Sequence, residues 1–248
     1  MRMRTWMLAA MTVGALGCAS DVEAQQWTWP ERAQNLTELP ADFPPERLRA
    51  VMMGFVNALG VRCTHCHVGE EGQPLSTYDF ASDANPNKNT ARAMYRLLGA
   101  VNDHLDGVEP TGERVNMWCH TCHNGKPRPQ TIDEAVMETY RSQGPDAAVA
   151  SFRALREAYY GGPGYDFRAP AVNQLGATLL AQGDTVTALA FAELNVEHHP
   201  DVALTHERMG DLMAARGERA SARSHYERAL ALEPENPRLR RKLEGLGP

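Results

Sequence analysis

The chain has 248 residues, of which 43% are hydrophobic and 23% are charged, as in ordinary globular proteins. This length is enough for one large domain or two small ones, each with a buried core. The formal net charge of −6 argues against nucleic acid as a main partner, because a surface that binds phosphates needs an excess of positive charge.

The N-terminal segment, residues 1–24, has the pattern of a secretory signal peptide. Arg2 and Arg4 precede a short apolar run, and the sequence VEA-QQW offers a cleavage site after Ala24. The run is too short to span a bilayer. The alternative is a lipoprotein signal, in which Cys18 of the sequence ALGC carries a lipid. Both alternatives predict an exported, periplasmic protein, either soluble or held by its lipid on the outer side of the inner membrane.

The first helical pattern follows an extended lead-in at residues 25–43, which contains Trp and Pro and shows no sustained period. Residues 44–60 place apolar side chains three and four apart, carry prolines where a first turn tolerates them and end at Gly60, so they predict a helix. Residues 68–88 are rich in Gly, Asn, Asp and Pro and predict a loop. A second helical period covers residues 89–105.

The C-terminal third contains an internal repeat with a period of 34 residues. The matching pairs are Gly176 and Gly210, Gly183 and Gly217, Ala188 and Ala222, and Pro200 and Pro234. This period predicts tetratricopeptide repeats of two helices each at residues 169–248, ending in a capping helix. Residues 131–168 are predicted to be a helical linker or a degenerate repeat, since two repeats alone would leave an apolar face uncovered.

Two motifs of the form C-x-x-C-H contain four of the five cysteines. Their members are Cys63, Cys66 and His67 in the first motif, and Cys119, Cys122 and His123 in the second. This spacing is typical of covalent c-type haem, in which two thiols add across the porphyrin vinyl groups and the adjacent imidazole binds the iron. His65 and His120 lie between the cysteines, and their side chains are expected to point away from the iron.

A zinc site of four thiolates and a pair of disulfides are the alternatives for these cysteines. Neither alternative uses the histidine that follows each pair. Zinc thiolate sites are also mostly intracellular, whereas this chain is predicted to be exported. The sequence therefore favours two c-type haems.

A methionine on the apolar face of the helix before each motif is the predicted sixth iron ligand. Met52 precedes the first motif and Met94 the second. A thioether is a soft, neutral ligand that favours Fe(II) and raises the potential. Met53 is the competitor for the first haem, although it lies off the apolar stripe. His104, on the same helix as Met94, is the competitor for the second.

The sequences MMGFVNALGVRCTHCH, FASDANPNKNTARAM and WCHTCHNGKPRP resemble the cytochrome c subunit family of photosynthetic reaction centres. The resemblance covers residues 44–130 and implies haem units made of a Met-bearing helix, a turn and a CxxCH helix. It also implies Met52 and Met94 as axial ligands. Well-known members carry four haems and lack tetratricopeptide repeats, whereas this chain has two motifs and a repeat segment. The family's role is to re-reduce the photooxidised pigment pair, so the resemblance implies an electron carrier.

The expected fold is all-α, with a two-haem cytochrome domain of helix–turn–helix units at residues 44–130 and a short tetratricopeptide solenoid after it. If both irons have six ligands, neither is open to substrate. The predicted function is therefore single-electron transfer to redox proteins, such as a membrane reaction centre or a respiratory complex, with the repeats docking on a protein partner. The alternatives are a haem peroxidase or reductase with one open iron site, and a haem-based redox sensor with the repeats as output.

Overall fold

The computed structural model describes residues 27–108 and 116–247. The predicted signal peptide at residues 1–24 lies outside the described residues. The same is true of the alternative lipid site at Cys18.

Helices form the regular structure of these two ranges, together with one isolated β-bridge between Val68 and Asp79. The helices are α1 (Pro45–Leu59), α2 (Pro86–Asp106), α3 (Cys119–His123), α4 (Ile132–Gln143), α5 (Pro145–Tyr159), α6 (Ala169–Ala181), α7 (Thr185–His198), α8 (Ala203–Ala215), α9 (Arg219–Leu232) and α10 (Pro237–Gly245). The all-α prediction is confirmed. In the described part of the chain, no helix is both long and apolar enough to cross a membrane.

Local sequence signals set the ends of α1 and α2. Pro45 occupies the first turn of α1, and Gly60 ends that helix with a φ of 65°, in the left-handed region. Helix α2 begins at Pro86 rather than at the predicted residue 89. The reason is that the Asn85 side chain accepts a hydrogen bond from the backbone N–H of Asn87 at 3.1 Å and caps the helix.

The end of α1 meets the turn after the second CxxCH motif at very close range. The backbone N–H of Gly125 donates to the carbonyl oxygen of Ala58 at 2.8 Å. A Cβ atom on Gly60 would lie 2.1 Å from the carbonyl oxygen of Gly125, which is far inside van der Waals contact. Gly60 therefore serves two needs, a left-handed backbone and the close approach of a neighbouring main chain.

The two 34-residue units fold as the helix pairs α6–α7 and α8–α9. The repeated alanines Ala188 and Ala222 are fully buried, and the repeated glycines Gly183 and Gly217 have positive φ in the turns between the paired helices. A Cβ atom on Gly210 would lie 2.5 Å from the ring of Tyr226, so the glycine lets α8 and α9 approach. Helix α10 covers the end of the repeats through Leu239, which is also fully buried.

Helices α4 and α5 share the hydrophobic core of the first helix pair. Val136 of α4 and Phe152 of α5 belong to the same buried cluster as Leu175 and Phe191. The hydroxyl of Tyr140 also donates to the Asp184 carboxylate at 2.7 Å, and that carboxylate caps α7. Residues 131–168, which the sequence left as a linker or a degenerate repeat, are thus packed into one body with the repeats.

Replacing Gly60 by alanine is expected to destabilise the protein by more than about 2 kcal/mol. Alanine is strained at the left-handed φ of this position, and its Cβ would clash with the carbonyl oxygen of Gly125. Gly99→Ala is the matched control, because this glycine lies inside α2 with no atom within 4 Å of an added Cβ. The control should be neutral or stabilised by roughly 0.5–1 kcal/mol. Denaturant unfolding measures both. Equal stabilities of the two variants would contradict the close approach.

A histidine pair between α8 and α9 makes the repeats sensitive to acid. Nδ1 of His206 lies 3.2 Å from Nδ1 of His225, and burial, followed by the neighbouring His206, lowers the pKa of His225. The folded state therefore binds fewer protons than the unfolded state, and stability falls as the pH drops below the ordinary histidine value. Unfolding midpoints at about pH 7.5 and about pH 5.5 should differ less in His225→Gln than in the wild type. An equal difference would assign the acid sensitivity to other groups.

Candidate functional site

One hollow of about 740 Å³ lies between α1, α2, the two CxxCH turns and the lead-in. Seven of the eight predicted site residues contribute to its wall: Met52, Cys63, Cys66, His67, Met94, Cys119 and His123. Cys122, the eighth, is exposed and lies outside this wall. Residues that are 71 positions apart in the sequence thus face a common space.

The first CxxCH motif is a tight turn that brings its cysteines and histidine together. The backbone N–H groups of Cys66 and His67 both donate to the carbonyl oxygen of Cys63, at 3.2 and 2.9 Å. The amide nitrogens of Asn85 and Asn87 donate to the carbonyl oxygen of His65 at 3.1 and 3.0 Å. The start of α2 therefore holds the backbone of this motif in place.

The His67 imidazole is suited to bind a metal because it is kept neutral. Burial, and then the positive charge of Lys88, lowers the pKa of His67. The ring packs against Phe80 with 5.0 Å between centroids, and its Nδ1 atom is buried without a hydrogen-bond partner. A neutral imidazole has a lone pair available for a metal.

The second CxxCH motif forms α3, and its histidine is held more firmly. His123 is 9% exposed, and its Nδ1 lies 3.0 Å from the carbonyl oxygen of Lys126. Since a carbonyl oxygen only accepts, Nδ1 carries the proton and Nε2 keeps its lone pair. This is the arrangement that orients most metal-binding histidines. Asn124 and Gly125 have positive φ values, which turn the chain back so that this bond can form.

The two candidate methionines lie in the wall, and their sequence competitors do not. Met52 is half-buried there, whereas Met53 does not line the hollow. Met94, which is 44% exposed, also contributes to the wall, and His104 does not. His65 also lines the hollow, and the expectation that its side chain points away from the iron stays a prediction. Its position between two cysteines gave no signal for that placement.

The lead-in also contributes to the wall, a role that the sequence did not indicate. Trp27 and Trp29 both line the hollow, and their rings contact each other at 4.8 Å between centroids. Trp27 also contacts Phe80 at 5.4 Å, and Phe80 in turn contacts His67. Two tryptophans in a short segment without a helical period were the available signal.

The donor set of the hollow fits a covalently bound haem. Its surface is mainly apolar, with thiols, imidazoles and thioethers on the wall. The four cysteines of the motifs are free thiols, and burial raises the pKa of Cys66 and of Cys119. In residues 27–108 and 116–247, no three His, Cys, Asp or Glu side chains converge on one point, so the four cysteines do not form a tetrahedral zinc site there.

Comparison with known proteins gives distant relatives among cytochromes. No protein-family model matches the chain. It is 32% identical over 96 residues to the photosynthetic reaction center cytochrome c subunit of Rubrivivax gelatinosus, covering 34% of this chain and 24% of that protein. It is 39% identical over 70 residues to cytochrome c-554 of Chloroflexus aurantiacus, covering 28% of this chain and 15% of that protein. The chain thus spans a quarter or less of the length of these relatives.

Among solved structures, the first tetratricopeptide domain of human RPAP3 matches with a TM-score of 0.33 and 17% identity, over 46% of this chain and 86% of that one. The first tetratricopeptide domain of Spaghetti (RPAP3) bound to an HSP90 peptide gives the same values. This likeness is too slight to support an argument. The repeat assignment therefore depends on the 34-residue period and on the helix pairs α6–α7 and α8–α9.

Proposed function

We propose that this protein is a c-type cytochrome that carries single electrons and holds two covalently bound haems. The observation that carries the proposal is the common hollow, whose wall contains both CxxCH imidazoles, three of the four thiols and both predicted methionines. The two relatives named as cytochromes support it.

Each motif would supply the attachment and one iron ligand of its haem. Cys63 and Cys66 would form the thioether bonds of the first haem, and His67 and Met52 would hold its iron. Cys119 and Cys122 would do the same for the second haem, with His123 and Met94 holding the iron. A haem bound in this way supplies the one-electron exchange between Fe(III) and Fe(II).

The protein's own residues set how readily that exchange occurs. The thioethers of Met52 and Met94 are neutral donors that favour the reduced form. The apolar wall excludes water and so disfavours the additional charge of the oxidised form. The Lys126 carbonyl holds the His123 ring in one tautomer. If a histidine and a methionine hold each iron, neither iron would offer substrate a coordination position, so this ligand set favours a carrier over an enzyme.

A haem enzyme is the second candidate, and His65 is the observation that favours it. His65 lines the hollow in addition to His67 and His123. A peroxidase or reductase needs such an acid–base group together with one open iron site. Carbon monoxide separates the two candidates, because it binds ferrous iron only where a coordination position is open or its ligand is weakly held.

The proposal extends to location and partners. The signal peptide at residues 1–24, or a lipid on Cys18, would place the cytochrome in the periplasm, where haem is attached to exported chains. The redox partner would be a membrane complex, either a photosynthetic reaction centre, of which the Rubrivivax relative is named a subunit, or a respiratory complex. The repeats at residues 169–248 would dock the carrier on a protein partner.

Haem content is the first test. The chain, exported in a host that matures c-type cytochromes, should give two haems per chain in a pyridine haemochrome assay. The double variant Cys63→Ser/Cys66→Ser should retain one haem, and so should Cys119→Ser/Cys122→Ser. Cys18→Ser is the control and should keep both, because this cysteine belongs to neither motif. A wild-type protein without haem would refute the proposed function.

Axial ligation is tested with neighbouring methionines. Met52→Ala should make one of the two ferrous haems reactive to carbon monoxide and lower its potential, because a neutral thioether is lost. Met53→Ala is the matched control and should behave as the wild type, since Met53 does not line the hollow. Absorbance changes on addition of carbon monoxide measure both. Rapid binding by the wild type would favour the enzyme, and a response of Met53→Ala alone would reverse the ligand assignment.

A further inference from the structure

A buried lysine connects the second CxxCH motif to the repeats. Lys126 is 6% exposed, and its ammonium group donates to the main-chain oxygens of Gln130 and Gly164. The same ammonium lies 4.1 Å from the centroid of the Tyr165 ring. Burying an ammonium is costly unless it is hydrogen-bonded, so these contacts constrain the positions of both main-chain segments.

The main chain of Lys126 both accepts a hydrogen bond from His123 and donates one to it. Its carbonyl oxygen accepts from Nδ1 of the imidazole at 3.0 Å, and its N–H donates to the His123 carbonyl at 3.1 Å. A shift of the Lys126 backbone would therefore change the length and angle of the bond that orients the imidazole. The side chain that determines the position of this backbone reaches the segment between α5 and α6.

That segment is itself fixed in the core of the repeats. Tyr165 packs edge to face on Tyr159 at 5.2 Å between centroids, and it contacts Phe167 at 6.1 Å. Phe167 is 5% exposed and contacts Phe152 of α5. Tyr165, and the segment with Gly164 that precedes it, are therefore packed against the core that α5 shares with the repeats.

We propose that Lys126 is a positioning residue through which the repeat segment sets the orientation of His123 and hence the redox potential of the second haem. The inference depends on the proposed function. The hydrogen bond from Nδ1 raises the basicity of a ligating imidazole and favours the oxidised metal. The effect is specific to one haem, because Lys126 accepts its hydrogen bond from the imidazole of His123, whereas the contacts of the His67 ring are with Phe80.

The test is a redox titration of the full-length haem-loaded protein carrying Lys126→Met, which removes the ammonium and keeps an apolar stem. Loosening the His123 bond should raise the potential of the second haem. At a fixed potential, its ratio of oxidised to reduced form should fall by at least about threefold, which is ~28 mV at 59 mV per tenfold. The first haem should not change. Lys126→Arg keeps a positive charge and should raise this potential by less than Lys126→Met does.

Lys242→Met is the matched control. This lysine also lies near a tyrosine ring, Tyr226 at 5.7 Å, and pairs with the buried Glu207 at 2.7 Å, but it is remote in sequence from His123 and belongs to α10. It should lower the unfolding midpoint without moving either potential. Tyr165→Leu removes the ring that contacts the Lys126 ammonium, and it serves as the test if Lys126→Met folds poorly. It should also raise the potential of the second haem.

Titration in the Cys63→Ser/Cys66→Ser background, which leaves only the second haem, assigns the affected potential. An unchanged potential in Lys126→Met and Tyr165→Leu would overturn the inference. Equal shifts of both haems, or an equal shift in Lys242→Met, would also overturn it, because they indicate a general loss of packing. In these cases two haems per chain would leave the proposed function standing, whereas loss of all haem from the wild type would refute that function itself.

Discussion

The approach of Gly60 to the carbonyl oxygen of Gly125 is the contact on which the shape of the candidate site depends. It joins the end of α1 to the turn after the second CxxCH motif, with the bond from Gly125 to Ala58 beside it. Because the first motif follows Gly60 and the second precedes Gly125, this contact brings the two motifs to the same hollow. Any side chain at Gly60 would push them apart, so the site depends on the absence of a single Cβ atom.

The two motifs share a hollow but are held by different parts of the chain. Asn85 and Asn87 at the start of α2 bind the backbone of the first motif, and Trp27 of the lead-in packs on Phe80 beside His67. The second motif is held by Lys126, whose side chain reaches the segment between α5 and α6. These contacts of the first motif thus come from residues 27–108, whereas the second motif is connected to a segment that packs on the repeats. Two sites with the same sequence motif therefore have different surroundings.

Local patterns predicted the parts of this structure that local interactions determine. The apolar period placed α1 and α2, and the 34-residue spacing predicted the pairs α6–α7 and α8–α9. The position of Met52 on the apolar stripe distinguished it from Met53, and only Met52 lines the hollow. The contacts of Trp27 and Lys126 were not predictable in this way, because their partners lie tens of residues away and have no fixed spacing. The same holds for α4, which joins the repeat core through Val136 and Tyr140.

Helix α2 shows how the candidate ligand Met94 is placed without a packed protein core around it. None of its residues in the described structure is fully buried. Hydrogen bonds hold its two ends instead. At the start of the helix, Lys88 donates to the carbonyl oxygens of residues 80–82, and near its end the Asn102 side chain is hydrogen-bonded to the backbone of Met117. Tyr95, between them, contacts Phe55 and Trp118. Ala91 and Met94, on its apolar side, line the hollow, and Met94 is 44% exposed. A helix held by polar contacts at its ends and by Tyr95 in its middle leaves Met94 unburied, so its thioether would be available to the proposed haem.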